Sequence, residues 1–112
     1  MNNFKIIYKI LKYLEAAMDV AAPDMTPIKA EALGLSEDRW KALLLMLHKE
    51  GYIEGLVYKQ YIGESSLLLV DRVKITLKGL EYLEENSLMQ KINAASSGVV
   101  SLAADVIGTI KP

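Results

Sequence analysis

The sequence predicts an α+β fold that is mainly helical, with a two-stranded hairpin between the third and fourth helices. Apolar residues recur every three or four positions in several segments, which is the helical pattern. A segment rich in β-branched and aromatic residues lies between the last two of these helical segments, and it ends at a glycine-serine turn. The chain has 112 residues, 52% of them hydrophobic and 24% charged, which is the length and composition of one globular domain.

The first two helices are predicted from apolar spacing and from proline positions. Helix one is expected over residues 3–18, with a core face made of Phe4, Ile7, Tyr8, Leu11, Leu14 and Met18. Pro23 and Pro27 follow, and proline stops one helix but is tolerated in the first turn of the next. A short second helix is therefore expected over residues 27–33.

The third helix has clear start and stop signals. Gly34 is a candidate C-cap for helix two, and Ser36 is a candidate N-cap for a helix over residues 37–50. Glu37 and Asp38 would complement the positive end of the helix dipole in its first turn. Its core face is expected to contain Trp40, Leu43, Leu44 and Leu47.

The hairpin and the fourth helix complete the predicted domain. Strands are expected over residues 52–61 and 67–76, joined by a turn at Gly63. Thr76 is a candidate cap for a helix that runs to about Asn86, with Leu77, Leu80 and Leu83 facing inward and Gly79 as one weak helix former. Three helices followed by a two-stranded hairpin and another helix is the order of a winged helix-turn-helix, in which helices two and three form the helix-turn-helix and the hairpin is the wing. This domain is expected to occupy residues 1–87.

Residues 88–112 differ from the rest, because their apolar residues form one continuous stripe at helical spacing. The stripe predicts an amphipathic helix that docks on its own domain or on a second copy through Leu88, Ile92, Ala95, Val99, Leu102, Val106 and Ile110. A membrane span needs about 20 apolar residues, whereas this stretch contains Asp105 and several serines. No membrane contact is expected and, because the N-terminus lacks the pattern of an export signal, a cytoplasmic location is expected.

Three segments resemble the YjcQ family: FKIIYKILKYLEAAMD at the start, SEDRW followed by LHKEGYIEG in the middle, and VKITLKGLEYLEENS later. The resemblance covers about residues 1 to 90. It implies a winged-helix-like architecture and an origin in Gram-positive bacteria or their phages or prophages, and hence a bacterial or phage cytoplasm. It implies no activity and carries over no catalytic or ligand-binding residue.

Basic residues on helix three and on the hairpin are candidates for binding double-stranded DNA, as in winged-helix regulators. They are Arg39, Lys41, Lys49, Lys59, Arg72 and Lys74. The net charge is −1, so such binding would need a local basic patch. A DNA-binding, transcription-regulator-like module is the leading prediction, because this is the commoner use of a winged helix-turn-helix. The acidic start of helix three and the apolar Leu45 on its presumed reading face support an alternative, in which the module binds protein, either itself or a host factor, and no nucleic acid.

The sequence offers no catalytic centre. Cysteine is absent and His48 is the single histidine, so the usual zinc-ligand spacings cannot be assembled. The acidic residues lie on faces predicted to be solvated, where nothing tunes a carboxyl group for acid or base catalysis. Neither a serine with a nearby base nor a glycine-rich phosphate loop is present. We expect no enzymatic activity, no metal site and no cofactor.

Overall fold

The computed structural model describes residues 2–63 and 66–96, with side chains up to Ser87. Within these ranges the fold is α+β, as predicted, with antiparallel strands between helical segments. The chain forms two compact units, Met1–Leu80 and Glu81–Pro112. The predicted contact residues Leu88, Ile92 and Ala95 lie on the last described helix, and Val99, Leu102, Val106 and Ile110 lie outside the described residues.

Helix α1 spans Asn3–Ala17 and begins where the Asn2 side chain accepts hydrogen bonds from the backbone N–H groups of Phe4 and Lys5. Its position is confirmed, but its predicted core face is partly wrong. Phe4 is 68% exposed and Met18 is 61% exposed. The buried side chains are Ile6, Ile10, Leu11 and Leu14. The core contacts α1 on a face rotated from the predicted one, because the helix at residues 37–49, the strand at residues 74–75 and the turn at residues 26–28 pack against that side.

The predicted second helix over residues 27–33 is wrong as a continuous element. A single 3₁₀ turn, Thr26–Ile28, is followed by the one-turn helix α2, Ala30–Leu33. Lys29 between them is extended, with φ −84° and ψ 161°, which interrupts the helical path. Gly34 ends α2 in the left-handed conformation at φ 69°, and the N–H of Leu35 donates to the Ala30 carbonyl, which confirms the predicted glycine C-cap.

Helix α3 spans Glu37–Lys49 and agrees with the prediction at both ends. The Ser36 hydroxyl accepts a hydrogen bond of 3.1 Å from the Arg39 N–H, which confirms the N-cap. The buried residues are the four predicted ones, Trp40, Leu43, Leu44 and Leu47. The Trp40 indole N–H donates to the Ile28 carbonyl over 2.8 Å in a buried position, so α3 is fixed to the 3₁₀ turn as well as to α1.

The two predicted strands are each interrupted, which corrects the expectation of continuous strands. Four short strands form two antiparallel ladders: β1 (Ile53–Glu54) pairs with β4 (Lys74–Ile75), and β2 (Val57–Gln60) pairs with β3 (Ser66–Leu69). Between the two ladders, residues 55–56 connect β1 to β2, whereas the four residues 70–73 connect β3 to β4. Because the two connections differ in length, regular pairing cannot continue from one ladder to the other.

Gly55 makes this interruption sterically feasible. Its φ is +83°, and a Cβ atom there would lie 2.1 Å from the Arg72 carbonyl oxygen. Only glycine permits both the backbone conformation and the close approach. In the connection between β3 and β4, the Val73 N–H donates to the Val70 carbonyl over 3.1 Å, and this bond closes a tight turn that contains Arg72.

Helix α4 spans Leu77–Ser96, so the predicted end near Asn86 is wrong. Residues 80–96 contain no glycine or proline to stop the helix. The Thr76 hydroxyl accepts from the Gly79 N–H over 3.1 Å, which confirms the predicted cap, and donates to the Gly51 carbonyl over 2.6 Å. Leu77, predicted to face inward, is 72% exposed, because it lies in the first turn on the solvent side.

The core of the first unit is formed by side chains from α1, the 3₁₀ turn, α2, α3, both ladders and the turn between β3 and β4. The buried set is Ile6, Ile10, Leu11, Leu14, Met25, Ile28, Ala30, Leu33, Trp40, Leu43, Leu44, Leu47, Ile53, Leu68, Val70, Val73 and Ile75. No charged or polar residue is buried among the described residues. Within the same ranges, no helix has both the length and the hydropathy that crossing a bilayer requires.

Candidate functional site

Two of the six predicted DNA-binding residues have hydrogen-bond partners inside the domain. The Arg39 guanidinium donates to the Asn3 side-chain oxygen over 3.0 Å and 2.7 Å, which joins the start of α3 to the start of α1. The half-buried Lys41 donates from Nζ to the backbone carbonyl of Ser66 over 3.0 Å and to its hydroxyl over 3.3 Å. These contacts hold α3 against α1 and β3, so neither side chain can reach a ligand without breaking them.

The other four predicted residues are exposed and dispersed. Lys49 ends α3, Lys59 lies in β2, Arg72 lies in the tight turn, and Lys74 lies in β4 opposite Glu54. None of the four has a side-chain hydrogen bond or ion pair with another described residue. The structure brings Arg72 and Lys74 to one groove, described below, and leaves Lys49 and Lys59 on other elements.

The exposed face of α3 is mixed in character, which matters because this helix would enter the DNA groove in a nucleic-acid complex. Glu37 and Asp38 are exposed in its first turn, while the predicted surface residue Leu45 is half-buried. Met46, which was not among the residues predicted for this face, is 54% exposed on the same helix. The face therefore combines negative charge with apolar surface, and phosphate would be repelled at its start.

A large part of the exposed apolar surface lies on the β2–β3 hairpin. All four residues of β2 are exposed, and Ile62 near the tip is fully exposed. We call the exposed apolar residues of this element the hairpin patch: Val57, Tyr58, Tyr61, Ile62 and Leu67. Lys59 is the one basic residue in β2. Strand β3 lies closer to the core, because Leu68 is buried and Ser66 is held by Lys41.

A groove of about 950 Å³ lies beside the C-terminal end of α1. Its walls are the end of α1, the connection at residues 20–26, and residues 71–75. Three basic side chains line it, Lys29, Arg72 and Lys74, together with the acidic Asp24 and Asp71. We call it the α1 groove. Sequence reasoning missed it because its walls are distant along the chain, and nothing in the local pattern around Lys29 indicates a site.

The connection that forms one wall of the groove is held by its own hydrogen bonds. The Asp24 carboxylate accepts from the Thr26 N–H over 3.0 Å and from its hydroxyl over 2.7 Å. These bonds, together with the nearby charge of Lys29, lower the pKa of Asp24 from its ordinary value of 3.8. The Tyr13 hydroxyl donates to the Asp24 carbonyl oxygen, so the connection is fixed to α1.

In the part of the chain that the structure describes, no three acidic or histidine side chains come together as metal ligands would. His48 lies exposed in the last turn of α3. The described surface therefore offers two features for recognition, the hairpin patch and the α1 groove.

These features define a small α+β protein made of helices and a hairpin. The chain belongs to the YjcQ family, whose sequence model, described as YjcQ protein, matches residues 8–99. It is 31% identical over 91 residues to the uncharacterized protein YjcQ of Bacillus subtilis (strain 168), and the alignment covers 81% of this chain and 86% of that protein. The resemblance predicted from three sequence segments is thus confirmed. No solved structure matches the chain.

Proposed function

We propose that the chain is a winged-helix module that binds protein, and that it associates with a second copy of itself through the hairpin patch. In this proposal the 3₁₀ turn, α2 and α3 form the helix-turn-helix and the β2–β3 hairpin is the wing. The order of the elements supports the winged helix, because three helical segments precede the hairpin and one helix follows it. The single observation that supports protein binding is the apolar, exposed character of the hairpin.

The size of the hairpin patch fits a modest dimer interface. Its side chains, between 38% and fully exposed, together present on the order of 500 Å² to solvent, divided between the tip and the two faces of the hairpin because the successive strand residues Val57 and Tyr58 point to opposite faces. Two such patches would bury roughly 1,000 Å², near the lower limit for a specific interface. The expected complex is therefore a concentration-dependent dimer.

The geometry of β2 supports a symmetric pairing. Its outer edge has no strand partner among the described residues, because β2 pairs with β3 alone. A twofold axis at Tyr58 would place β2 antiparallel to the same strand of a second copy, with Val57 opposite Lys59, and would join the hairpins into a four-stranded sheet. An axis at Lys59 would bring two like charges together and is disfavoured.

The test is the mass of the full chain in solution, measured by light scattering after size-exclusion chromatography over a range of concentrations. We expect a shift from the 12.4 kDa monomer toward a dimer as concentration rises. Ile62→Glu should prevent the shift, because a charge at the fully exposed hairpin tip would be buried on pairing. The matched control is Met46→Glu, which adds the same charge at an exposed apolar position on α3.

Two results would overturn this proposal. One is a monomer at every concentration. The other is a dimer that Ile62→Glu leaves intact; if Val99→Glu then dissociates it, the interface lies in the predicted amphipathic tail instead.

Binding of double-stranded DNA is the second candidate function. The observation that favours it is the set of four exposed basic residues, Lys49, Lys59, Arg72 and Lys74, on elements that face DNA in other winged helices. Fluorescence anisotropy with a mixed-sequence duplex at low and moderate salt tests it, because phosphate contacts make affinity fall steeply with salt. Joint charge reversal of Arg72 and Lys74 should abolish such binding. An absence of binding at low salt contradicts this function.

The family resemblance adds expectations about context. A bacterial or phage origin and a cytoplasmic location stay predictions, as does the absence of enzymatic activity. These three expectations agree with the proposal of a small module that binds a partner and catalyses no reaction.

A further inference from the structure

The α1 groove lies on different residues from the hairpin patch and has a different chemistry. We propose that it binds a peptide segment of a partner protein that combines an acidic side chain with apolar ones. This inference goes beyond the proposed self-association, since it concerns a second surface and a second class of partner.

The apolar part of the groove can accept aliphatic side chains. Leu14, Met25, Val73 and Ile75 are buried residues whose remaining surface forms the floor. Met18 and Val20 stand at the lip, each more than half exposed. A peptide side chain placed against the lip would cover the water-exposed apolar surface of Met18 and Val20, and removing such surface from water is a main source of affinity for apolar segments.

The charges at the groove indicate that the partner carries a negative charge. Lys29, Arg72 and Lys74 outnumber the two carboxylates, and Asp24 already accepts two hydrogen bonds from Thr26. The ion pair found among the described residues, Lys12 with Glu15, lies outside the groove. None of the three cations forms a salt bridge in the described part of the chain, although Lys29 lies near enough to Asp24 to help lower the pKa of that carboxyl. A carboxylate from a bound peptide can therefore pair with Arg72 and Lys74.

The positions of the basic groups are set before binding. The tight turn that contains Arg72 is closed by the bond from Val73 N–H to the Val70 carbonyl, and Gly55 packs directly against the Arg72 carbonyl. Lys74 is held in the β1–β4 ladder. A preformed site loses less conformational entropy when it binds, which favours recognition of a short segment.

A peptide fits this groove better than a nucleic acid does. Duplex phosphates lie along a stiff backbone and are bound by projecting basic surfaces. Here the basic groups border an apolar depression, and Asp24 and Asp71 lie among them. Both carboxylates repel any anion, but a peptide with a single acidic group can place that group at the cations and away from Asp24 and Asp71, whereas the phosphates that repeat along a duplex cannot all avoid them.

The experiment is selection of a random dodecapeptide display library on the full chain, followed by fluorescence polarisation with the enriched peptides. We expect enriched sequences that carry at least one acidic residue next to aliphatic or aromatic ones. Arg72→Glu combined with Lys74→Glu should weaken their binding by at least about tenfold, because attraction becomes repulsion at two positions. Lys9→Glu is the control, since it reverses an exposed lysine of α1 that lies outside the groove and outside the candidate DNA-binding set, and it should leave affinity unchanged.

The variant proteins are compared by circular dichroism, so that a loss of binding in a folded protein is attributed to the groove. A folded double variant that binds the enriched peptides as well as the original chain overturns the inference. So does enrichment of basic peptides, or of none. If the same double variant instead loses salt-sensitive affinity for duplex DNA while acidic peptides never bind, the groove is a nucleic-acid contact and the peptide inference is wrong.

Discussion

Replacing Gly79 with alanine separates the effect of helix propensity from that of tertiary packing. Gly79 lies near the start of α4, where alanine is the better helix former by up to about 1 kcal/mol. In the folded chain, however, a Cβ atom on Gly79 would lie 2.5 Å from the Tyr52 carbonyl oxygen and 2.5 Å from the Ile75 Cγ1 atom. Ordinary contacts between such atoms are about 3.5 Å. Gly79→Ala should therefore destabilise the protein.

The expected magnitude follows from the groups that must move. Ile75 is buried, and the Tyr52 carbonyl accepts the Thr76 N–H over 3.1 Å at the helix cap. Overpacking of this kind costs about 1–3 kcal/mol, and weakening the cap hydrogen bond adds about 1 kcal/mol. After subtracting the gain in propensity, a net loss of about 1–3 kcal/mol remains. With a denaturant dependence of about 1–2 kcal/mol/M, the urea midpoint should fall by on the order of 1 M.

Urea denaturation followed by circular dichroism measures this change, with Glu81→Ala as the control. Glu81 is exposed on the same helix, so its replacement reports propensity alone and should alter stability by a few tenths of a kcal/mol at most. The reasoning is refuted if Gly79→Ala leaves the free energy of unfolding unchanged, or raises it, at the same denaturant dependence.

Three further perturbations test contacts that hold the domain together. Trp40→Phe keeps an aromatic ring in the core but removes the N–H that reaches the buried Ile28 carbonyl, and should cost about 1–3 kcal/mol in urea denaturation; no loss would show that water or another donor replaces it. Lys41→Met should speed amide hydrogen exchange in the β2–β3 hairpin, because the bonds to Ser66 are lost, and equal exchange rates would contradict this role. The lowered pKa of Asp24 implies stability that is present above pH 3.8 and lost as pH falls through the folded-state value. Asp24→Asn should thus have a lower free energy of unfolding than the original chain at neutral pH, and this difference should vanish in strong acid. A difference that persists in strong acid would show that ionisation of Asp24 is not its cause.

Several helix ends could be predicted from the sequence because they depend on neighbouring residues. The Ser36 and Thr76 hydroxyl groups cap α3 and α4 by accepting hydrogen bonds from N–H groups three residues further along the chain. Gly34 ends α2 in the left-handed conformation, which glycine adopts more readily than other residues. The core face of α3 was equally predictable, since a single apolar stripe contains Trp40.

The candidate site was less predictable. Arg39 and Lys41 carry the charge that a DNA-binding helix needs, yet in the structure they bond to Asn3 and Ser66. These partners are 36 and 25 residues away along the chain. Sequence spacing cannot show such pairings, because hydrogen bonds between distant segments depend on how the helices and strands pack. For the same reason, the approach of Arg72 and Lys74 to Lys29 at the α1 groove had no local signal.

The sequence by itself determined the α+β class, the order of helices and strands, the caps and the family, because these depend on periodicity and on residues within one helical turn of each other. Tertiary structure decided which face of α1 is buried, where Lys29 breaks the second helix, and how Gly55 interrupts the hairpin. It also decided the role of Gly79, which is a weak helix former in the sequence and a required point of close approach in the fold. Each of these depends on atoms from segments far apart in the chain, whose packing no local pattern encodes.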